Sequence, residues 1–296
     1  MTDAILSRNP PAQSLHWVAE SIGPGSRVVS VDALPSDWLA NHAVDVVDRR
    51  GTTHQLVLRR WARPGWDDDD PEFTAAHEAG VLELLAGSPV PAPELVAADA
   101  DAEACDVPAL LITRLAGEPP PARPPDLSSS FLAELAAALP AIHAIDHHGR
   151  VHPYSPYYEP ERVAVPPWSQ HPELWEKAIA VFAGSVPDAT TTFIHRDYHP
   201  GNTLWTGGRL TGIVDWTAAS VGSPAVDLAH MRWNLAVDHG IEAADHFLAH
   251  HHDLTGARVE HQAYWDVVTA VDVLPGIDSD DGHALEDFVA AALARL

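Results

Sequence analysis

Phe193-Ile194-His195-Arg196-Asp197-Tyr198-His199-Pro200-Gly201-Asn202, followed after seven intervening residues by Leu210-Thr211-Gly212-Ile213-Val214-Asp215-Trp216, is the stretch from which the architecture of the chain can be read. Its pattern is a histidine, any residue, an aspartate, an asparagine five positions on, and an aspartate ending an apolar run 13 residues after that. Phosphoryl transfer asks for little covalent chemistry; it needs a positioned hydroxyl and neutralised charge on a triphosphate. Asp197 is expected to accept the proton of the attacking hydroxyl, and His195 to hold the backbone of the loop. Asn202 offers a neutral oxygen and Asp215 a charged one to Mg²⁺, which completes its octahedron with phosphate oxygens and water. A lone histidine-x-aspartate is common, and either aspartate alone would read as a helix cap or a surface charge. Two ordered parts at this spacing argue for catalysis.

Upstream of this stretch the chain reads as strands. Residues 27–34, 43–48 and 55–61 are β-branched-rich, the last two flanking a turn at Arg49-Arg50-Gly51. A helix is expected next, capped by Asp70 with Pro71 at its first position, carrying Phe73, Ala76, His77, Val81, Leu84 and Leu85 at helical spacing up to Gly87. Residues 95–98 and 108–115 read as strands returning to the same sheet. The tract GEPPPARPP at 117–125 cannot be helical and marks a boundary between lobes. Downstream, helical periodicity covers 127–147, with a kink at Pro140, then 172–184, 225–239, 241–254, 260–273 and 284–296. Residues 149–170, rich in proline, tyrosine and histidine, read as an irregular segment over a cleft.

Composition narrows the function classes. Acidic residues outnumber basic ones by 42 to 17, and the formal charge of −25 repels nucleic acid and anionic membranes while admitting a cationic partner. No segment has the length of a membrane span, the N-terminus does not read as a leader, and Cys105 has no partner for a disulfide, so the cytoplasm is the expected compartment. Cys105 and most of the ten tryptophans, among them Trp61, Trp66, Trp168, Trp175, Trp233 and Trp265, read as core. His246, His250, His251 and His252 read as an exposed polar helix face rather than a metal site. Lys177 is the only lysine, so a fixed positive charge in the chemistry must come from arginine.

The 193–216 stretch resembles the aminoglycoside phosphotransferase family and its choline-kinase-like and macrolide-kinase relatives. The shared features are His195 to Asn202 with its His-Pro-Gly-Asn segment, Val214-Asp215-Trp216, and the run Gly222, Pro224, Asp227, Leu228, in which Asp227 is expected to be structural. Asp-Phe-Gly, the protein-kinase signature, does not occur, and no long activation segment follows. The resemblance implies an α+β, protein-kinase-like two-lobe fold: a small antiparallel-sheet N-lobe (1–115) that binds nucleotide, and a larger, mainly helical C-lobe (116–296) that carries catalysis and the acceptor. It further implies Mg²⁺, ATP or GTP as phosphate donor, a small-molecule hydroxyl acceptor, and a monomer or dimer.

The spacing aligns Arg59 and Glu78 with the family's lysine–glutamate pair, arginine standing where a lysine is usual and Arg60 being its nearest rival. Residues 28–50, where a phosphate-covering hairpin would lie, contain no glycine, leaving Ser36 and Asn41 as polar contacts. The adenine-binding strand end would fall at 112–115, which makes Thr113 and Leu115 candidates whose backbone groups read the base. Glu260, Asp266 and Asp272 are candidates for binding amines of the acceptor. A catalytically silent binding protein and, more distantly, a metal-dependent hydrolase are the alternatives. Phosphate transfer that Asp197→Ala abolishes excludes the first, and phosphate release that needs no acceptor would mark the second.

Overall fold

The computed structural model describes residues 9–36, 39–62, 72–121 and 127–296. Two compact units are present: Met1–Ala116 with Gly212–Ala218, and Gly117–Thr211 with Ala219–Leu296. The segment 212–218, which a single cut after residue 115 would give to the second unit, clusters with the first.

The first unit is built on a five-stranded antiparallel sheet in the order β1-β2-β3-β5-β4. Its strands are β1 (Arg27–Ala33), β2 (Ala40–Val47), β3 (Thr53–Arg60), β4 (Leu95–Asp99) and β5 (Ala109–Thr113). The turn expected at Arg49-Arg50-Gly51 joins β2 to β3, and Asp48 Oδ1 accepts from the amides of Arg50 and Thr52. Helix α1 (Ala12–Ile22), which the sequence reading did not single out, supplies Val18 to a core with Val44, Val46, Leu56, Leu58, Cys105 and Leu111. Helix α2 (Ala75–Leu85) packs against β4 and β5 and begins at a Thr74 cap whose hydroxyl accepts from His77 N at 3.0 Å. The helix start is thereby corrected from the expected Asp70. Asp70, Pro71, Trp66 and the last residues of the proline-rich tract lie outside the described residues.

Neighbouring residues of a strand point to opposite faces, and this separates the two arginines that end β3. Arg60 shares parity with the core residues Leu56 and Leu58 and is bonded through Nε and Nη2 to Asp106. Arg59 points the other way, to α2.

The second unit contains α3 (Ser129–His143, with Pro140 in its last turn), α4 (Pro172–Phe182), α5 (Ala225–His239), α6 (Ile241–Thr255), α7 (Gln262–Asp272) and α8 (Ser279–Leu293). Helix α5 packs against α6, α7 and α8. Arg232, fully buried on α5, ties three of these helices together. Its Nε reaches Asp266 Oδ1 on α7 at 3.1 Å, and on α6 its Nη1 meets the Ala244 carbonyl at 2.9 Å and its Nη2 meets Asp245 at 3.0 Å. Asp266 is therefore part of the scaffold, not an amine-binding acid, and Glu260 lies on an exposed turn. The histidines of α6 do not form a uniformly exposed face either. His251 is buried and His250 is bonded to Ser129 at 3.0 Å.

Two short sheets lie outside the five-stranded one. Strand β6 (Thr192–Ile194) pairs antiparallel with β9 (Ser220–Gly222), and β7 (Thr203–Thr206) pairs with β8 (Arg209–Ile213). At Gly117, φ is +114° and a β-carbon would lie 2.6 Å from Thr211 Oγ1 and 2.9 Å from the Trp205 backbone, so only glycine fits where residue 118 bridges to residue 205. Residues 149–170 are irregular, as expected, apart from a 3₁₀ turn at Pro160–Arg162 and an isolated bridge from Pro153 to Val221.

Candidate active site

Pairing of β6 with β9 decides where the 195–202 loop lies. The loop leaves β6 beside the first turn of α5, which follows β9 after two residues. There Asp227, fully buried, accepts from His195 N at 3.0 Å through Oδ2 and from Arg196 N at 2.7 Å through Oδ1. His143 of α3 lies 3.0 Å from Oδ2. Two backbone amides and a histidine thus converge on one carboxylate, which fixes the loop. Arg196 is held with φ at +69°, a conformation that needs such support in a residue other than glycine. Its guanidinium lies over the ring of Tyr157, 4.0 Å from the centroid.

The loop presents Asp197. Asn202 Nδ2 donates to the Asp197 carbonyl at 3.0 Å and to Oδ2 at 2.9 Å, while His230 Nε2 lies 3.1 Å from Oδ1 and Tyr157 Oη donates to Oδ1 at 3.4 Å. Burial opposes ionisation here. It is outweighed by the hydrogen bond from His230 and the nearby imidazoles of His199, His230 and His195, and the carboxyl is held well below the usual carboxylate range. The side chain remains 31% exposed, so an ionised oxygen can be approached from outside. His195 itself is buried, its ring centroid 6.0 Å from that of Tyr198.

Within the first unit a second constellation surrounds Arg59. Its Nε donates to Glu78 Oε2 at 2.9 Å, and its Nη2 donates to Asp215 Oδ1 at 2.8 Å and to Thr217 Oγ1 at 3.0 Å. The Arg59–Glu78 pair is almost fully buried. Burial raises the Glu78 carboxyl against the pull of Arg59, whereas the two carboxylates outweigh burial at Arg59 and raise its guanidinium further. Asp215 has φ at +64°, and Thr217 Oγ1 donates to its Oδ1 at 2.8 Å. Two carboxyl groups thus converge on one guanidinium.

The donor chemistry fits a hard divalent cation. Asn202 spends its amide nitrogen on Asp197, so its amide oxygen stays uncommitted, and Asp215 Oδ2 makes no hydrogen bond among the described residues. Each residue therefore retains one oxygen of the kind Mg²⁺ takes. No group of three His, Cys, Asp or Glu side chains that could hold a metal ion occurs among the described residues.

The remaining candidates fall in different places. The Ser36 hydroxyl accepts from Leu39 N at 3.1 Å in a local turn, and Thr113 Oγ1 accepts from Glu94 N at 2.9 Å, tying the end of β5 to the start of β4. Leu115 lies just past β5. Tyr157 and His230 were not found from the sequence. The one available signal for His230 is its spacing from Asp227, three apart on one helix face, and Tyr157 has none.

Asp272, among the acidic candidates of the last helices, is close to this second-unit group. It accepts from Tyr158 N at 3.1 Å, and with Tyr154, Tyr157, Arg196 and His230 it lines a small depression. Burial pushes its carboxyl up to about 6, against the amides of Tyr157 and Tyr158 and the Arg196 charge. Because the folded value lies above the unfolded one of about 3.9, the folded state holds the extra proton between these values, and stability falls as pH rises through that window. Asp272→Asn, whose amide oxygen can still accept, is expected to match the parent near pH 4 and to exceed it above pH 6 by on the order of 2 kcal/mol. Melting temperatures of both proteins at pH 4 and 7.5 check this; an equal gap at both values contradicts it.

An antiparallel sheet unit followed by a helical unit, with a His-x-Asp loop and a strand-ending aspartate, defines a kinase-like phosphotransferase fold. The chain belongs to the phosphotransferase enzyme family (APH), whose model matches residues 33–270. No curated protein matches it by sequence. Among solved structures it is similar to a protein of Ralstonia eutropha JMP134 assigned to the aminoglycoside phosphotransferases, with 16% identity, a TM-score of 0.65, and coverage of 95% of this chain and 96% of that one. A thermostable mutant of aminoglycoside phosphotransferase APH(4)-Ia, in ternary complex with ADP and hygromycin B, gives 17%, 0.59, 96% and 98% respectively. The GDP complex of aminoglycoside 2'-phosphotransferase-IIIa gives 17%, 0.61, 95% and 99%. At such identities the likeness is one of fold. Among the described residues, no helix is long and apolar enough to cross a membrane.

Proposed function

We propose that this protein transfers the γ-phosphoryl group of ATP or GTP to a hydroxyl of a small molecule, an antibiotic or a metabolite, with Asp197 as the base. The carrying observation is the Asn202 amide bridging the carbonyl and carboxylate of Asp197, which fixes the base and leaves the amide oxygen for a cation. As the acceptor oxygen bonds to the γ-phosphorus, the bond from that phosphorus to the β-bridging oxygen breaks. The acceptor's proton passes to Asp197, and the nucleoside diphosphate leaves. Asn202 and Asp215 are the residues that would hold Mg²⁺, which would offset charge on the phosphates. Arg59, oriented by Glu78, holds phosphate oxygens through Nη1, which makes no hydrogen bond among the described residues.

Related proteins have been captured with ADP or with GDP, which supports a nucleotide donor of either base. An acceptor carrying amines suits the charge of −25, and the cytoplasm supplies the triphosphates. The test measures Mg²⁺-dependent ATP and GTP consumption against aminoglycosides, macrolides, peptide antibiotics and amino alcohols, with mass spectrometry of the products. A phosphorylated acceptor is expected. Phosphate release equal with and without every acceptor would instead mark a hydrolase, and nucleotide binding without turnover a silent binder.

A further inference from the structure

His230 is a buried imidazole, 4% exposed, one helical turn beyond Asp227 on α5. Asp227 anchors the loop backbone, and His230 on the same helix face reaches the side chain that the loop presents, 3.1 Å from Asp197 Oδ1. The ring of Trp233, 5.2 Å away, and that of His199, 5.9 Å away, flank it. A carboxylate only accepts, so Nε2 carries the hydrogen whatever the charge of the ring.

Stability is a weak reason for this contact. Asp197 is 31% exposed and can be hydrated, so the pair gains less from the bond than a fully buried one would, while burial of the imidazole has a cost. The distribution of donors on the carboxylate gives a better one. Oδ1 receives both His230 and Tyr157, whereas Oδ2 takes a single short bond, from Asn202, with His199 at 3.9 Å. Oδ2 is the oxygen left with accepting capacity.

We propose that His230 is a positioning residue for phosphoryl transfer, locking Asp197 through Oδ1 so that Oδ2 meets the acceptor hydroxyl. This rests on the reading of Asp197 as the base. A misplacement of about 1 Å in such a group costs on the order of 100-fold in rate. His230→Ala is therefore expected to lower kcat by about 10- to 100-fold while leaving the KM and Kd for Mg²⁺-ATP or Mg²⁺-GTP within about twofold. His230→Gln, which can place an N–H where Nε2 stood, is expected to recover kcat to within about threefold of the parent across about pH 6–9.

The measurement follows transfer from either nucleotide to water and to the panel compounds above, with rates referred to active sites counted by nucleotide binding. A kcat within twofold of the parent in His230→Ala overturns the proposal. So does a well-folded His230→Gln as slow as His230→Ala, since the ring would then be moving a proton rather than holding an oxygen. Loss of nucleotide binding in step with a fallen melting temperature would reduce His230 to a structural role. Asp197→Asn is the control. If it retains transfer, the base assignment itself fails; if it is inactive while His230→Ala is fully active, only the present inference fails. A parent protein that turns over neither nucleotide, with any acceptor or with water, ends both.

Discussion

Asp197→Ala and Asp197→Asn are expected to bind Mg²⁺-nucleotide within about threefold of the parent and to lose phosphoryl transfer by about 10³-fold or more. Removal of a positioned base costs about 10² to 10⁴ in rate, and at Asp197 the same carboxylate also orients the hydroxyl. A factor of 10³ is about 4 kcal/mol of lost transition-state stabilisation. The asparagine variant is the stricter test, because it keeps the volume and one acceptor oxygen for Asn202 or His230 but cannot take the proton. Nucleotide affinity by calorimetry, beside product formation by mass spectrometry, separates the two effects. Transfer above a tenth of the parent rate in either variant would remove Asp197 from the role of base.

A second large effect is expected at Asp227, which touches no reacting atom in the proposed chemistry. Its carboxylate is fully buried and accepts the amides of His195 and Arg196 and a bond from His143. Asp227→Ala would leave two buried amides without an acceptor, at about 1–3 kcal/mol each. A loss of about 3–5 kcal/mol corresponds to a fall of on the order of 10 °C in the melting temperature for a unit of this size. Transfer should fall with it, since the left-handed conformation of Arg196 loses its anchor one residue before Asp197. Asp227→Asn retains one acceptor oxygen and should recover part of the stability. An unchanged melting temperature in Asp227→Ala, read by circular dichroism, would show that the amides find other partners.

The sequence separates what could be foreseen from what could not. Strand and helix periodicity placed the sheet and most helices because each depends on residues a few positions apart. The kinase-like spacing of Asp197, Asn202 and Asp215 was likewise local, a short loop and one strand. Cap choice was less legible: both Asp70 and Thr74 are good cap residues by type, and the helix begins at Thr74. Arg59 and Arg60 illustrate a third case. Their alternation guarantees opposite faces, but which face carries α2 and Glu78 depends on how the helix packs. Asp266 and Asp272 read alike on one helix, yet the first is bound to Arg232 and the second accepts a backbone amide near Arg196.

By itself, then, the order of residues determined the fold family and the identities of the proposed base and metal ligands, since these follow from short-range spacing and side-chain chemistry. Only the tertiary structure assigned Asp227 to the loop amides, brought His230 and Tyr157 to Asp197, and returned 212–218 to the first unit beside Arg59. Those relations join residues 31 or more positions apart, and strand pairing and helix packing select them from many pairings that the same letters would allow.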